Sequence, residues 1–201
     1  NKGYFKCAMS LSGCTIELLE IHAPHVLDLI CQLYDTGCLE IVSEPYSHGL
    51  SSLANERCFR EEVKHLCEKV ESIFGCQPKV FRNSCSIYTD EIGRMVADLG
   101  FKGMLTEGAK HILGWKSPHF VYNCAMAPKL KLLLRDNRLS EDISFRFNDY
   151  NWDEYPLFAD RYMDWIAQLP EEEEIINLFM ELCALGIWQP LSSNILEFMK
   201  A

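Results

Sequence analysis

A thiol occupies the centre of a turn of the kind in which α/β proteins place reactive side chains. The segment FRNSCSIYTDEIG, residues 81–93, has the pattern of a buried strand that ends near Phe81 and a helix that begins near Ile87. Four residues form the turn between them: Arg82, Asn83, Ser84 and Cys85. A cysteine thiolate is a good nucleophile. Nucleophilic catalysis is therefore the chemistry that this turn could perform.

Polar residues also follow the other predicted strands. Functional side chains of α/β folds gather at the carboxyl ends of parallel strands, so these residues are expected on one rim. Any single member could be an ordinary polar loop residue, but the set as a whole indicates a site. The set consists of Glu44, Tyr46, Ser47, His48, Arg82, Asn83, Cys85, Thr106, Glu107, Arg146, Glu181 and Cys183.

The elements that must position this rim alternate along the chain. Short apolar runs predict strands, and longer amphipathic runs predict helices. The alternation favours an α/β fold with a parallel sheet or barrel. Predicted strands cover residues 4–13, 78–83, 129–136, 142–147 and 174–181, and residues 39–49 and 102–109 are each predicted as a strand that runs into a loop. Predicted helices cover residues 15–37 with an interruption at Pro24, 55–75, 89–100, 157–169 and 194–200.

Several helix ends carry local signals. Gly37 and Gly75 are predicted to end the first two helical segments. Thr89 is a predicted N-cap, and Gly100 is predicted to close the helix that begins there. The apolar stripe of helix 55–75 consists of Val63, Leu66, Cys67 and Val70.

Composition excludes several classes of function. The chain has 201 residues, 48% of them hydrophobic, and a net charge of −10. This size and composition predict one globular domain with a substantial core. The acidic balance argues against a nucleic-acid partner, because phosphate backbones are repelled. No apolar run has membrane-spanning length, so no membrane partner is predicted. The start NKGYFKC has no Met, and we interpret the sequence as an internal fragment.

Ten cysteines are present, but none forms a C-x-x-C pair and no compact Cys/His group has zinc-ligand spacing. Because most of them have apolar neighbours, reduced and buried thiols are predicted in preference to disulfides or metal ligands. This usage favours a reducing, cytoplasmic location, and the sequence predicts no metal and no cofactor. The acidic run at residues 171–174 is predicted to be a solvated turn.

Four segments together resemble glycoside hydrolase family 57, in particular its bacterial α-amylase-like branch. They are residues 43–53, 78–118, 128–147 and 177–190, which begin SEPYSHG, PKVFRNS, PKLKLLL and NLFMELC. The resemblance implies a single incomplete (β/α)7-barrel domain over residues 1–201, acting on α-glucans by a retaining mechanism. The family's first motif, a His-Gln-Pro, has no counterpart here, so the first barrel strand is expected to be absent.

The resemblance also assigns the two catalytic positions. Members of this type read FRNTELIY at the first site, with Glu as the nucleophile, and Cys85 stands at that Glu. The second site resembles FMDYETFG, with Asp as the proton donor, and Glu181 stands at that Asp. Retaining glycosidases need two carboxyl groups about 5–5.5 Å apart. A thiol is shorter than Glu and lacks its formal charge, so a weak or inactive hydrolase is predicted.

Further residues are placed on the substrate side by the same resemblance. Alternatives remain open for several of them: His48 could be an ordinary loop histidine, Trp115 could pack beneath its loop, and Asp142 could pair with Arg146. Trp152 and Trp165 are predicted to pack in the core. The predicted substrate-binding residues are Glu44, His48, Arg82, Glu107, Trp115, Asp142, Arg146, Cys183 and Trp188.

The predicted partner is an α-glucan or maltooligosaccharide, and an exposed sheet edge could also pair two copies. The alternative function is a non-catalytic carbohydrate-binding or purely structural descendant of the barrel, including one that was engineered. A third hypothesis is a thiol or metal site built from Cys85, Cys183 and His48, although their spacing gives it no support.

Overall fold

A computed structural model describes residues 5–201 of the chain. It contains two compact units. The first unit comprises the described part of Asn1–Thr106 together with Tyr122–Leu133, and the second comprises Glu107–Val121 and Leu134–Ala201. Residue 4, where the first predicted strand begins, lies outside the described residues.

Strands and helices alternate through most of the first unit. Its early elements are β1 (Cys7–Ser10), α1 (Gly13–His22), α2 (Pro24–Asp35), β2 (Leu39–Val42), α3 (Ser51–Ala54) and α4 (Glu56–Phe74). Further along the chain come β3 (Val80–Arg82), α5 (Asp90–Asp98), β4 (Gly103–Glu107), α6 (Lys110–Leu113), β5 (Tyr122–Asn123) and β6 (Lys131–Arg135), of which α6 belongs to the second unit. The remaining helices are α7 (Asn137–Glu141), α8 (Ala159–Ala167) and α9 (Ile195–Lys200).

The strands pair mainly in parallel. β1 pairs with β2 in the register Cys7↔Leu39 to Ser10↔Val42, and β3 pairs with β4. A parallel bridge between Ser43 and Phe81 links the end of β2 to β3. The second sheet has the order β3-β4-β6-β5, and its short β5 runs antiparallel to β6. The predicted α/β fold with parallel strands is therefore confirmed.

Local capping explains where the helices of the first unit begin and end. The Asn55 side chain accepts a hydrogen bond from the backbone of Cys58 at the start of α4, and Gly75 ends the helix in the left-handed conformation. Thr89 caps α5 as predicted. Pro24 occupies the first turn of α2, where its missing N–H removes no helical bond.

One face of α4 supplies much of the core of the first unit. The predicted apolar stripe is buried at Val63, Leu66 and Val70, whereas Cys67 is half-buried. Phe59 and Phe74 extend the same face. The cluster that includes part of α4 consists of Leu11, Ile16, Leu27, Ile30, Leu39, Ile41, Leu66, Val70 and Phe74.

The second unit differs from the sequence prediction in two segments. Residues Asp142–Arg146 form a helical turn, so the predicted strand 142–147 is wrong. The apolar residues of this segment alternate, which is a strand pattern, but Ile143 and Phe147 also lie four residues apart, which is a helical spacing. In the helical turn both side chains lie in the core. The predicted strand 174–181 contributes a single parallel bridge, at Asn177.

Aromatic rings form much of the core of the second unit. Trp152 and Trp165 pack against its buried cluster, as predicted. Their ring centroids lie 6.2 Å apart in an edge-on arrangement, and the Tyr162 ring lies 5.9 Å from that of Trp165. The buried cluster consists of Leu139, Ile143, Phe147, Leu157, Tyr162 and Ile195.

The ten cysteines are all free, but the prediction that they are buried is wrong for most of them. Only Cys124 is buried, because apolar neighbours along the chain do not determine which face of an element a side chain occupies. Within residues 5–201, no three His, Cys, Asp or Glu side chains are grouped to hold a metal. No helix in the same range is both long and apolar enough to cross a membrane.

Candidate active site

A buried carboxylate lies at the carboxyl ends of β1, β2 and β3. Glu44 follows β2, and only 3% of it is exposed. Its Oε2 accepts a hydrogen bond from Ser10 Oγ at 2.6 Å and lies 3.3 Å from Arg82 Nη1. His48 Nδ1 lies 3.3 Å from the same oxygen. The structure therefore brings together three predicted site residues, Glu44, His48 and Arg82, which with Ser10 form what we call the Glu44 cluster.

Strand register places the Glu44 cluster at this edge. Ser43 and Phe81 are bridged, so Glu44 and Arg82 each lie one residue beyond the aligned pair. Ser10 ends β1 opposite Val42, which brings its hydroxyl to the same side. A buried carboxylate loses its hydration and needs compensating donors. The Ser10 hydroxyl and the Arg82 guanidinium supply them.

The predicted nucleophile position lies on a strained turn. Cys85 is exposed, three residues after Arg82, and its φ of 52° is in the left-handed region. Ser86 follows with a φ of 54°, and His48 also has a φ of 54°. Non-glycine residues in this region each cost about 1–3 kcal/mol and concentrate at functional sites. Strain is therefore stored at the edge that carries the Glu44 cluster.

Asn83, which was predicted only as a member of the polar rim, supports this turn. It is fully buried, and its Nδ2 donates to Ser52 Oγ at 2.9 Å and to the Ile87 carbonyl at 3.0 Å. The signal that could have identified it is a short amide side chain two residues before a predicted nucleophile, because asparagine commonly bonds to nearby backbone.

In the second unit, Glu107 and Trp115 lie in different environments. Glu107 Oε1 lies 3.4 Å from Arg135 Nη1, and Arg135 Nε donates to the Phe179 carbonyl at 3.0 Å. Trp115 is 92% exposed, so the alternative that it packs beneath its loop is wrong.

Asp142 and Arg146 pair with each other, which was the alternative left open for them. Arg146 Nη1 donates to Asp142 Oδ1 within one helical turn, and Asp142 is buried. Burial raises the pKa of the Asp142 carboxyl, and the Arg146 guanidinium partly offsets this effect. The pair therefore has a structural contact that explains both residues without a ligand.

The predicted acid/base region forms a short surface turn. Glu181 is exposed and lies just before the helical turn Leu182–Ala184. The Cys183 carbonyl accepts hydrogen bonds from the backbone of Ile187 and Trp188, and its side chain is half-buried. The Trp188 ring is 42% exposed and stacks on Phe145, with ring centroids 5.1 Å apart.

A buried histidine site was missed by the sequence analysis. His119 Nε2 lies 2.7 Å from Asp136 Oδ2, and its Nδ1 contacts the half-buried Glu173 carboxylate. The prediction that residues 171–174 form a solvated turn is therefore wrong for Glu173. The partners are 17 and 54 residues from His119 in the sequence, so no local pattern links them. The His119 carbonyl also accepts the backbone N–H groups of residues 174 and 175, so the site holds the acidic segment in place.

Gly108 leaves no space for a side chain at the end of β4. A Cβ built there would lie 2.2 Å from the Arg135 backbone carbonyl oxygen. Backbone must move to accept it, so we expect Gly108→Ala to reduce the free energy of unfolding by about 1–3 kcal/mol. Urea unfolding measures this change. Gly103→Ala is the matched control, because its Cβ would meet Val80 at an ordinary 3.7 Å. Equal stability of the two variants would contradict the expected clash.

Comparison with known proteins decides the family. The model of Glycosyl hydrolase family 57 matches residues 1–201, the whole chain. The chain belongs to glycosyl hydrolase family 57. The predicted resemblance is therefore confirmed.

A relative named "Putative alpha-amylase", from Methanocaldococcus jannaschii, is 40% identical over 197 residues. The match covers 98% of this chain but only 41% of that protein, so this chain spans less than half of its relative.

Solved structures show the same fold. The crystal structure of a 4-alpha-glucanotransferase from Thermococcus litoralis matches with a TM-score of 0.79 and 15% identity, over 100% of this chain and 31% of that one. A "putative polysaccharide deacetylase" from Mycobacterium smegmatis matches with a TM-score of 0.64 and 16% identity, over 98% of this chain and 66% of that one. The predicted incomplete (β/α)7 barrel with parallel strands is confirmed for this family 57 chain. Proteins with different activities share the fold, so the side chains must decide the function.

Proposed function

We propose that this family 57 chain is an α-glucan-active, retaining glycoside hydrolase domain whose hydrolytic activity is weak or absent. The observation that carries the proposal is the position of Cys85. Its exposed thiol lies on a left-handed turn at the edge that carries the buried Glu44 cluster, where the family resemblance expects the nucleophilic carboxylate. Strained backbone next to a buried, paired carboxylate is typical of a catalytic edge.

The chemistry explains why a thiol weakens hydrolysis. In a retaining reaction, one carboxylate attacks the anomeric carbon, and a second carboxyl group protonates the leaving oxygen and then activates water. We assign the second role to Glu181 and the first position to Cys85. The thiol has no second oxygen to stabilise the oxocarbenium-like transition state, and a thioglycosyl intermediate hydrolyses slowly. Electrostatic stabilisation of the transition state usually contributes most to catalysis, so its loss lowers the rate strongly.

An α-glucan is the substrate class that we propose, and the alpha-amylase name of the relative supports it. The Glu44 cluster offers charged and polar groups for sugar hydroxyls. From the predicted substrate-binding residues we also propose Glu107 and Cys183, whereas Asp142 and Arg146 are accounted for by their own ion pair. Trp115 and Trp188 expose apolar ring surface of the kind that packs on a pyranose face. The same exposed tryptophans favour the second candidate, a carbohydrate-binding domain without catalysis.

Titration calorimetry with maltoheptaose, together with product analysis, tests the proposed function. We expect binding with a dissociation constant between about 10 μM and 1 mM, a range typical of enzyme–substrate pairs. The double variant Trp115→Ala/Trp188→Ala should bind about five to ten times more weakly, because it loses both ring surfaces. Cellohexaose, with β-linkages, is the matched control ligand. A folded protein that binds neither saccharide would contradict the proposal.

We also propose a cytoplasmic location and a second copy of the chain as partner. The ten free cysteines fit a reducing compartment.

The strand edge of β1 supports the proposed second copy of the chain. Within the described residues β1 pairs only with β2, and Cys7 and Ala8 are exposed. Unpaired strand edges favour pairing between chains.

A further inference from the structure

The turn after β3 holds two consecutive non-glycine residues in the left-handed conformation. Cys85 has φ 52° and Ser86 has φ 54°. Such residues usually occur singly in proteins, so a pair persists only where neighbouring contacts impose it. Two backbone hydrogen bonds lie within the turn, from Ser86 N to the Asn83 carbonyl at 2.9 Å and from Ile87 N to the Ser84 carbonyl at 3.2 Å.

The Asn83 side chain closes the same turn from inside. Its Nδ2 donates to the Ile87 carbonyl at 3.0 Å, which spans the three residues between them. The same Nδ2 donates to Ser52 Oγ at 2.9 Å and so ties the turn to α3. Asn83 is fully buried, so water does not compete for these bonds.

We propose that Asn83 is the positioning residue that sets the backbone at position 85 and thereby directs the side chain there. This role rests on the proposed function, in which position 85 is the nucleophile position. Asn83 acts through the turn and does not itself contact substrate.

The Asn83 side chain acts in this site through its donor group, since both of its hydrogen bonds come from Nδ2. The Asn83 NH₂ group has two N–H donors, and the Ile87 carbonyl needs one of them. An aspartate has acceptors only, so it would face the Ile87 carbonyl oxygen with a negative oxygen. It could still accept a hydrogen bond from Ser52. Asn83→Asp therefore breaks the bond that closes the turn, whereas Ser52→Ala breaks only the tie to α3.

Amide hydrogen exchange tests the proposal without any activity assay. In Asn83→Asp we expect the Ser86 and Ile87 amides to exchange at least about tenfold faster than in the wild type, since a closing hydrogen bond is lost. Ser52→Ala should accelerate the same amides by about threefold. The control amides are those of Leu66 and Val70 in α4, which should keep their wild-type rates.

The outcomes of the exchange experiment are distinct. Unchanged exchange at Ser86 and Ile87 in Asn83→Asp would overturn the proposal. Equal acceleration of the α4 amides would mean a general loss of stability and would also overturn it. If Asn83→Asp does not fold, the Ser52→Ala variant tests the proposal instead. Wild-type exchange rates of the Ser86 and Ile87 amides in that variant would overturn it.

A kinetic measurement links the turn to function. In the Cys85→Glu background, adding Asn83→Asp should lower kcat by at least about tenfold and change KM by less than about threefold. The reason is that the side chain at position 85 loses its orientation while substrate binding is retained. A change confined to KM would overturn the positioning role. If Cys85→Glu alone has no activity, the proposed function fails, while the exchange experiment still decides the role of Asn83.

Discussion

Replacement of Cys85 by glutamate is expected to raise the rate of maltooligosaccharide hydrolysis by at least about a thousandfold. The variant places a carboxylate on an exposed turn at the edge that carries the Glu44 cluster. The longer side chain reaches further from the backbone than the thiol does. Its negative charge stabilises the developing positive charge on the sugar, and its ester intermediate is hydrolysed more readily than a thioglycoside.

Reducing-sugar release from maltoheptaose measures this gain. Cys85→Gln is the matched control, because glutamine has the size of glutamate without its charge, and it should remain at the wild-type rate. Glu181→Gln added to Cys85→Glu should lower the rate again by about a hundredfold or more, since the proposed proton donor is lost. Equal rates for the Glu and Gln variants at position 85 would contradict the role of charge there.

Replacement of Phe81 by alanine is expected to reduce the free energy of unfolding by about 3–5 kcal/mol. Phe81 is fully buried in β3, directly before Arg82. Its ring centroid lies 5.7 Å from that of Phe59 and 5.4 Å from that of Phe101. Alanine would leave a cavity between these rings, and the neighbouring backbone can collapse into it only in part.

Urea unfolding followed by circular dichroism measures the loss at Phe81. Phe158→Ala is the control, because that ring is 67% exposed and its removal should change stability by less than about 1 kcal/mol. A loss at Phe81 no larger than the loss at Phe158 would mean that β3 is not a central part of the core.

Local signals made part of the fold predictable. The helix α4 was predicted because its apolar residues recur at helical spacing, and Gly75 is a strong end signal. Residues 142–147 were misassigned because an alternating apolar pattern there also fits a helix. Ile143 and Phe147 are four residues apart, and both pack in the core of the second unit when the segment is helical. Tertiary packing therefore favours the helical periodicity over the strand periodicity.

The candidate site was predictable at the level of strand ends. Glu44 and His48 follow β2, Arg82 ends the neighbouring strand β3, and the structure brings Glu44 into contact with both His48 and Arg82. The contact between His119 and Glu173 was not predictable, because the two residues are 54 apart and meet only through tertiary folding. The left-handed conformation of Cys85 was also not predictable, because no glycine or asparagine marks that position.

Covalent trapping tests the central claim most directly. A fluorinated glucosyl fluoride should accumulate as a glycosyl-enzyme on the Cys85→Glu variant, and peptide mass spectrometry locates the adduct. We predict one added glycosyl group on the peptide that contains position 85, and none there in Cys85→Gln. A glycosyl group on another carboxylate in an active Cys85→Glu variant would contradict the assignment of position 85 as the nucleophile position.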